Sequence, residues 1–114
     1  GKDTLSEKDQ LKLEVAKSIR EDYLQQNAFM ESDTYTSLNK QNKMLDLVLK
    51  FYDEGLRGLD SGVYLNELVS LPVRERIARA KYLPESELDK IKEIENSLIA
   101  EIDNLISRVG GADA

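Results

Sequence analysis

Cysteine, histidine and tryptophan are all absent from the 114 residues, and proline occurs only twice. Without cysteine there are no disulfides, no thiolate chemistry and no cysteine-based metal sites. Without histidine the chain lacks the side chain most used for proton transfer near neutral pH and the commonest zinc ligand. Aromatic residues make up 6% of the chain, few for a β-sandwich. No apolar run exceeds three residues, Leu47 to Leu49 being one of that length, so no segment has the continuous apolar stretch of a membrane span or a signal-peptide core. Direct membrane insertion is not expected. N-x-Ser/Thr sequons are absent too. A net charge of −6 argues against binding to nucleic acid, because counterion release needs a basic face.

What is present reads as a soluble, helix-rich chain. Hydrophobic residues make up 40% and charged residues 33%, and the length suits one domain with a modest core. Ser6-Glu7-Lys8-Asp9 has the form of a capping box, a hydroxyl followed three residues later by an acid that can reach back. Leu11, Val15, Ile19 and Tyr23 then recur every four residues, with Ala16 and Leu24 beside them, forming one apolar stripe of a first helix. The stripe fades into the polar Gln25-Gln26-Asn27, and Met30 to Thr36 reads as a loop. Thr36 or Ser37 can cap a second helix carrying Leu38, Met44, Leu45, Val48, Phe51, Tyr52, Leu56 and Leu59, with Asp46 and Lys50 an acid-first pair on its wet side. Gly55 and Gly58 are expected to weaken its last turns, and Asp60-Ser61-Gly62 to end it. A short helix follows around Tyr64 to Ser70. Pro72, after an extended Leu71, opens a fourth that holds Val73, Ile77, Ala78 and Ala80 and stops before Leu83-Pro84. The last helix runs from about Pro84 to Val109 on Leu88, Ile91, Leu98, Ile102, Leu105 and Val109, with Glu95 interrupting the stripe and Gly110-Gly111 expected to stop it. There are no internal repeats and no credible strands. The expected fold is all-α, a compact bundle or orthogonal array of about five helices.

Two stretches give this bundle a family resemblance. Arg20-Glu21-Asp22-Tyr23-Leu24-Gln25-Gln26-Asn27-Ala28-Phe29 is similar to the "REDFLQQNAF" signature of the catalytic A subunits of A-type and V-type rotary ATP synthases. Leu71 to Pro84 resembles their later "PVRE.IAR.KYIP" segment, and Lys40 to Phe51 fits the helix between them. The resemblance covers essentially the whole chain, in order. At the N-terminus, Asp3-Thr4-Leu5-Ser6-Glu7-Lys8-Asp9 is similar to the DELSEED loop of F-type catalytic β subunits.

The resemblance implies that residues 1–114 are the C-terminal, rotor-coupling helical domain of the catalytic subunit of a proton- or sodium-translocating ATP synthase, without the parent's nucleotide-binding domain. It implies two kinds of partner: the central-stalk rotor subunit and the neighbouring B subunits of an alternating ring of A and B subunits. It also implies a peripheral position on the cytoplasmic side of the membrane, reached through the complex. ATP or ADP and Mg belong to the parent. The phosphate-cradling pattern G-x-x-x-x-G-K-[ST] occurs nowhere in this chain, so neither a cofactor nor ATPase activity is expected of the isolated fragment. A free-standing helical interaction module of related sequence is the alternative, and an upstream phosphate-loop domain in the same reading frame would decide against it.

By the same resemblance, Asp3, Leu5, Ser6, Glu7 and Asp9 form the rotor contact. A capped helix start is the plain reading of those residues, and the two roles are compatible. Residues 2 to 9 carry one net negative charge, Lys2 and Lys8 against Asp3, Glu7 and Asp9. Exposed ion pairs are worth about 0–1 kcal/mol and are screened by salt. Transmission by shape, with Leu5 as the knob, is therefore expected in place of charge attraction. The resemblance also sets an aromatic of the next region against the adenine ring. Phe29 is the candidate, Gln26 and Asn27 can hydrogen-bond nearby, and Tyr35 is a second candidate aromatic; Phe29 packing the end of the first helix is the competing reading. Arg74, Arg76, Arg79 and Lys81, relieved by Glu75, read as a solvated helix face with a Glu75–Arg79 pair in preference to a subunit contact. Glu95 is expected at a rim.

Overall fold

The computed structural model describes residues 5–24 and 37–113. Ser6 takes an extended backbone and opens helix α1, Glu7–Ser18, its Oγ accepting the Asp9 N–H at 3.1 Å. The helix continues as a π-helical segment, Ile19–Leu24. Helix α2, Leu38–Asp60, starts in the same way at Ser37, whose Oγ accepts the Lys40 N–H at 3.0 Å. Both starts follow from the short side-chain oxygen that satisfies an amide left unpaired in the first turn.

α2 ends at a left-handed glycine. Gly62 has φ 99°, the only positive φ among the described residues. The Val63 N–H reaches back to Gly58 O at 3.0 Å and the Gly62 N–H to Leu59 O at 3.1 Å, the pair of bonds that closes a helix with the chain turned away from its axis. Helix α3, Leu65–Val69, follows at once, with Glu67 accepting the N–H of its cap residue Tyr64 at 2.9 Å. Pro72 occupies the first turn of α4, Pro72–Arg79, where its missing N–H costs nothing. 3-10 turns at Ala80–Tyr82 and Glu85–Glu87 lead into α5, Asp89–Asp113.

α2 lies at the centre, packed on both α1 and α5, and α4 closes against α5. The core joins Leu11 and Val15 of α1, Met44, Leu47, Val48 and Phe51 of α2, Val73 and Ile77 of α4, Leu88 just before α5, and Ile91, Ile94, Leu98, Ile102 and Leu105 of α5. Steps of three and four residues along α5 keep that stripe on one face over its whole length. Ile94, absent from the stripe expected from sequence, fills the gap, while Glu95 sits half-buried at its edge. Among the described residues no fully buried side-chain nitrogen or oxygen lacks a hydrogen-bond partner, and no strand is present.

Four expectations need correction. Gly110 and Gly111 do not stop α5, which continues to Asp113; glycine permits the left-handed turn of a C-cap without enforcing it. Leu38 is 67% exposed, because it lies on the outer side of the first turn of α2. Gly55 and Gly58 are packing devices. A Cβ on Gly55 would stand 2.8 Å from Leu11 Cδ2, and one on Gly58 would stand 3.1 Å from Leu68 Cδ2, so the absent side chains let α1 and α3 approach α2 closely. The basic run is not a single face either: Arg74 turns toward α1 and Arg76 toward Ser97.

Candidate functional site

The start of α1 is bound into the body at several points. Leu5 is half-buried, and its carbonyl accepts the Gln10 side-chain amide at 3.0 Å. Ser6 caps the helix. Glu7 reaches across 58 residues of sequence to accept the Leu65 N–H at 2.7 Å, so it caps α3. Lys8 Nζ lies 2.8 Å from Asp60 Oδ1, on the last residue of α2. That hydrogen bond and charge hold the Lys8 ammonium above its usual pKa. One turn on, Leu11 is fully buried against Gly55. The first turn of α1 is thus fastened to the end of α2 and the beginning of α3. Asp9 is looser, its carboxylate 3.9 Å from Lys12 in an exposed pair. Asp3 lies outside the described residues, as do Gln26, Asn27, Phe29 and Tyr35.

The far half of α1 is held by Arg74 of α4. Its guanidinium contacts Glu14 Oε1 at 3.1 Å and Ser18 Oγ at 3.2 Å, and lies 5.1 Å from the centroid of the buried Phe51 ring. One cation therefore joins α1, α2 and α4, with its charge neutralised and its flat face on an aromatic ring. Arg76 turns the other way, donating to Ser97 Oγ at 2.8 Å, and Arg79 pairs loosely with Glu75 at 3.8 Å in the open. The expected Glu75–Arg79 pair is present, but Arg74 has left the solvated face. Its spacing in the basic run carried no sign of that, because the direction of a long side chain is set by what packs opposite.

Lys40 was missed by sequence reasoning. It is 5% exposed, and its Nζ donates to Lys81 O at 2.8 Å, joining the first turn of α2 to the turn after α4. Burial holds its pKa below the usual lysine value, with the Glu85 carboxylate partly opposing the shift. A lone lysine among Asn39, Gln41 and Asn42 is indistinguishable in sequence from a solvated one. Arg57 similarly bridges Glu54 at 2.6 Å and Asp103 at 2.7 Å, and both hydrogen bonds raise its pKa.

These groups serve attachment; among them no nucleophile is paired with a base. Among the described residues no three acidic side chains converge as metal ligands. No helix among the described residues is long and apolar enough to cross a membrane. What the arrangement can do is carry a load from the first turn of α1 into α2 and α3.

The model of a family described as the C-terminal domain of V and A type ATP synthase matches residues 1–69. The V-type ATP synthase alpha chain of Clostridium botulinum is 64% identical over 110 residues, covering 96% of this chain and 19% of the relative. That of Clostridium perfringens is 60% identical over 114 residues, covering 100% of this chain and 19% of the relative. The chain thus spans 19% of the length of the curated relatives it matches.

Proposed function

This chain belongs to the family of C-terminal domains of V- and A-type ATP synthases, and on that premise we propose that it carries movement between the nucleotide-binding part of an alpha subunit and the central-stalk rotor. ATP or ADP and Mg are handled by the rest of the parent subunit, whose turnover is coupled to proton or sodium translocation. The B subunits of the alternating ring are the lateral neighbours. The domain sits at the cytoplasmic side of the membrane through the complex.

The carrying observation is the fastening of the first turn of α1 to α2 and α3 through Glu7, Lys8 and Leu11. A contact edge that flexed independently would absorb a push; one locked into close-packed helices passes it on, because such interiors deform little. Two of the charges on this edge are already paired within the domain, at its surface. Glu7 caps α3 and Lys8 pairs with Asp60, which leaves Leu5 and Asp9 as the described groups offered to a partner. Leu5 supplies shape, and Asp9 supplies screened charge of small worth.

The test is rotation under load, or ions moved per ATP hydrolysed, in the assembled enzyme. Leu5→Ala lowers torque while ATP hydrolysis continues, and Asp3→Asn with Asp9→Asn leaves torque nearly intact. Glu7 is kept unchanged in both arms, since its loss would loosen α3. The opposite ranking of the two variants would overturn transmission by shape.

A further inference from the structure

α1 carries a second row of side chains on its outer side. Leu11, Val15 and Ser18 face the core, while Gln10, Leu13, Lys17 and Arg20 recur at steps of three, four and three residues on the outside. This outer row and Leu65 and Val69 of α3 line a groove of about 590 Å³. Leu13 is 56% exposed in it. The groove's one acid, Glu14, is engaged by Arg74. Among the described residues neither Lys17 nor Arg20 forms an ion pair, so within them two positive charges stand unopposed over an apolar floor.

We propose that this groove is the docking site of a helix from another subunit of the assembly, one whose apolar stripe is flanked by carboxylates. Apolar residues at steps of three and four enter between α1 and α3 over Leu13, and the flanking acids meet Lys17 and Arg20, which stand three residues apart on the rim. The open, row-like shape suits a line of side chains. A small ligand is disfavoured, because among the described residues no buried polar side chain is left unpartnered to orient it. A nucleic acid would need more than two cations. The proposal draws on the family's multi-subunit character and does not depend on Leu5 transmitting force.

The experiment places a photo-crosslinking amino acid at Leu13 in the full-length alpha subunit within the intact complex, with a second preparation labelled at Leu5. The Leu13 label is expected to capture a helical segment of a different subunit that bears apolar residues at three- and four-residue steps with flanking Asp or Glu. Combining Lys17→Glu with Arg20→Glu should lower that yield about tenfold, the size expected of two exposed ion pairs. Lys43→Glu with Lys92→Glu, the same charge change at exposed positions elsewhere, should leave it unchanged. Capture of the subunit's own nucleotide-binding domain, of a second alpha chain or of a segment without acids overturns the proposal, as does the absence of any crosslink. Equal losses in the two charge-reversed variants also overturn it. The Leu5 label separates this from the coupling function: if it fails to reach the rotor while Leu13 captures its acidic helix, the coupling reading falls and the groove stands.

Discussion

α1 and α5 both pack on α2, but they are held there by different means. α5 inserts five buried apolar residues from Ile91 to Leu105, with Leu88 just ahead of it in the same stripe, and adds polar ties from Asp103 to Arg57, Ser97 to Arg76 and Glu101 to the Val73 N–H. α1 inserts two, Leu11 and Val15, and is otherwise secured by a ring of polar ties: Glu7 to α3, Lys8 to Asp60, Arg74 to Glu14 and Ser18. Apolar burial is non-directional and cooperative, so α5 defines the body. Hydrogen bonds and ion pairs are directional and individually weak, so they fix the angle of α1 without adding much to global stability. The helix that carries the candidate contact edge is thus fixed in direction by polar ties, whereas its support is defined mainly by apolar burial.

Substitutions can break that contrast in order of size. Ile102→Ala, at a fully buried position of α5, is expected to cost about 2–5 kcal/mol in a denaturant titration, since the lost methyls leave a cavity. Gly55→Ala forces Leu11 to move and should cost about 1–3 kcal/mol. Its effect falls on the α1–α2 junction, so amide exchange in α1 should quicken while α5 stays protected. Glu7→Ala removes the carboxylate that caps α3 and should cost about 1 kcal/mol, with Glu7→Gln losing less because an acceptor remains. Equal exchange rates in α1 and α5 for any variant confined to the junction would abolish the distinction.

The smallest expected effect is on pH dependence. Lys40 has its pKa lowered from 10.5 by burial. Between that lowered value and 10.5 the unfolded chain binds a proton that the folded chain does not, so this residue makes stability rise with pH in that window. Lys8, Arg57 and Lys90 are shifted upward by their acidic partners and act in the opposite sense, losing their contribution as pH rises through their folded values. The difference between wild type and Lys40→Met isolates the buried lysine: wild type should gain on the variant as pH rises through the window. A difference independent of pH would mean that Lys40 is solvated.

Much of the fold was legible residue by residue. Ser6, Ser37 and Pro72 open helices where local chemistry says they should, because capping depends on a hydroxyl or a ring and on amides a few residues away. Gly62 ends α2 for an equally local reason. The glycines at 55 and 58 were misread for the reverse reason: their meaning lies in Leu11 and Leu68, which are distant in sequence. The inward turns of Lys40 and Arg74 were also out of reach, since a long cationic side chain is compatible with either direction until its neighbours are known. The candidate edge at Leu5 to Asp9 was found through resemblance, but that Glu7 is spent on α3 was not visible in it.

The amino-acid order alone settled that the chain is helical, where α1, α2 and α4 begin and which family it joins, because periodicity, caps and motif residues act over a few positions. Only the tertiary structure decided which charges face inward, which glycines are contact points and which face of α1 is left uncovered. Those outcomes depend on pairs such as Glu7 with Leu65 and Leu11 with Gly55, whose members are brought together by packing and share no local signal.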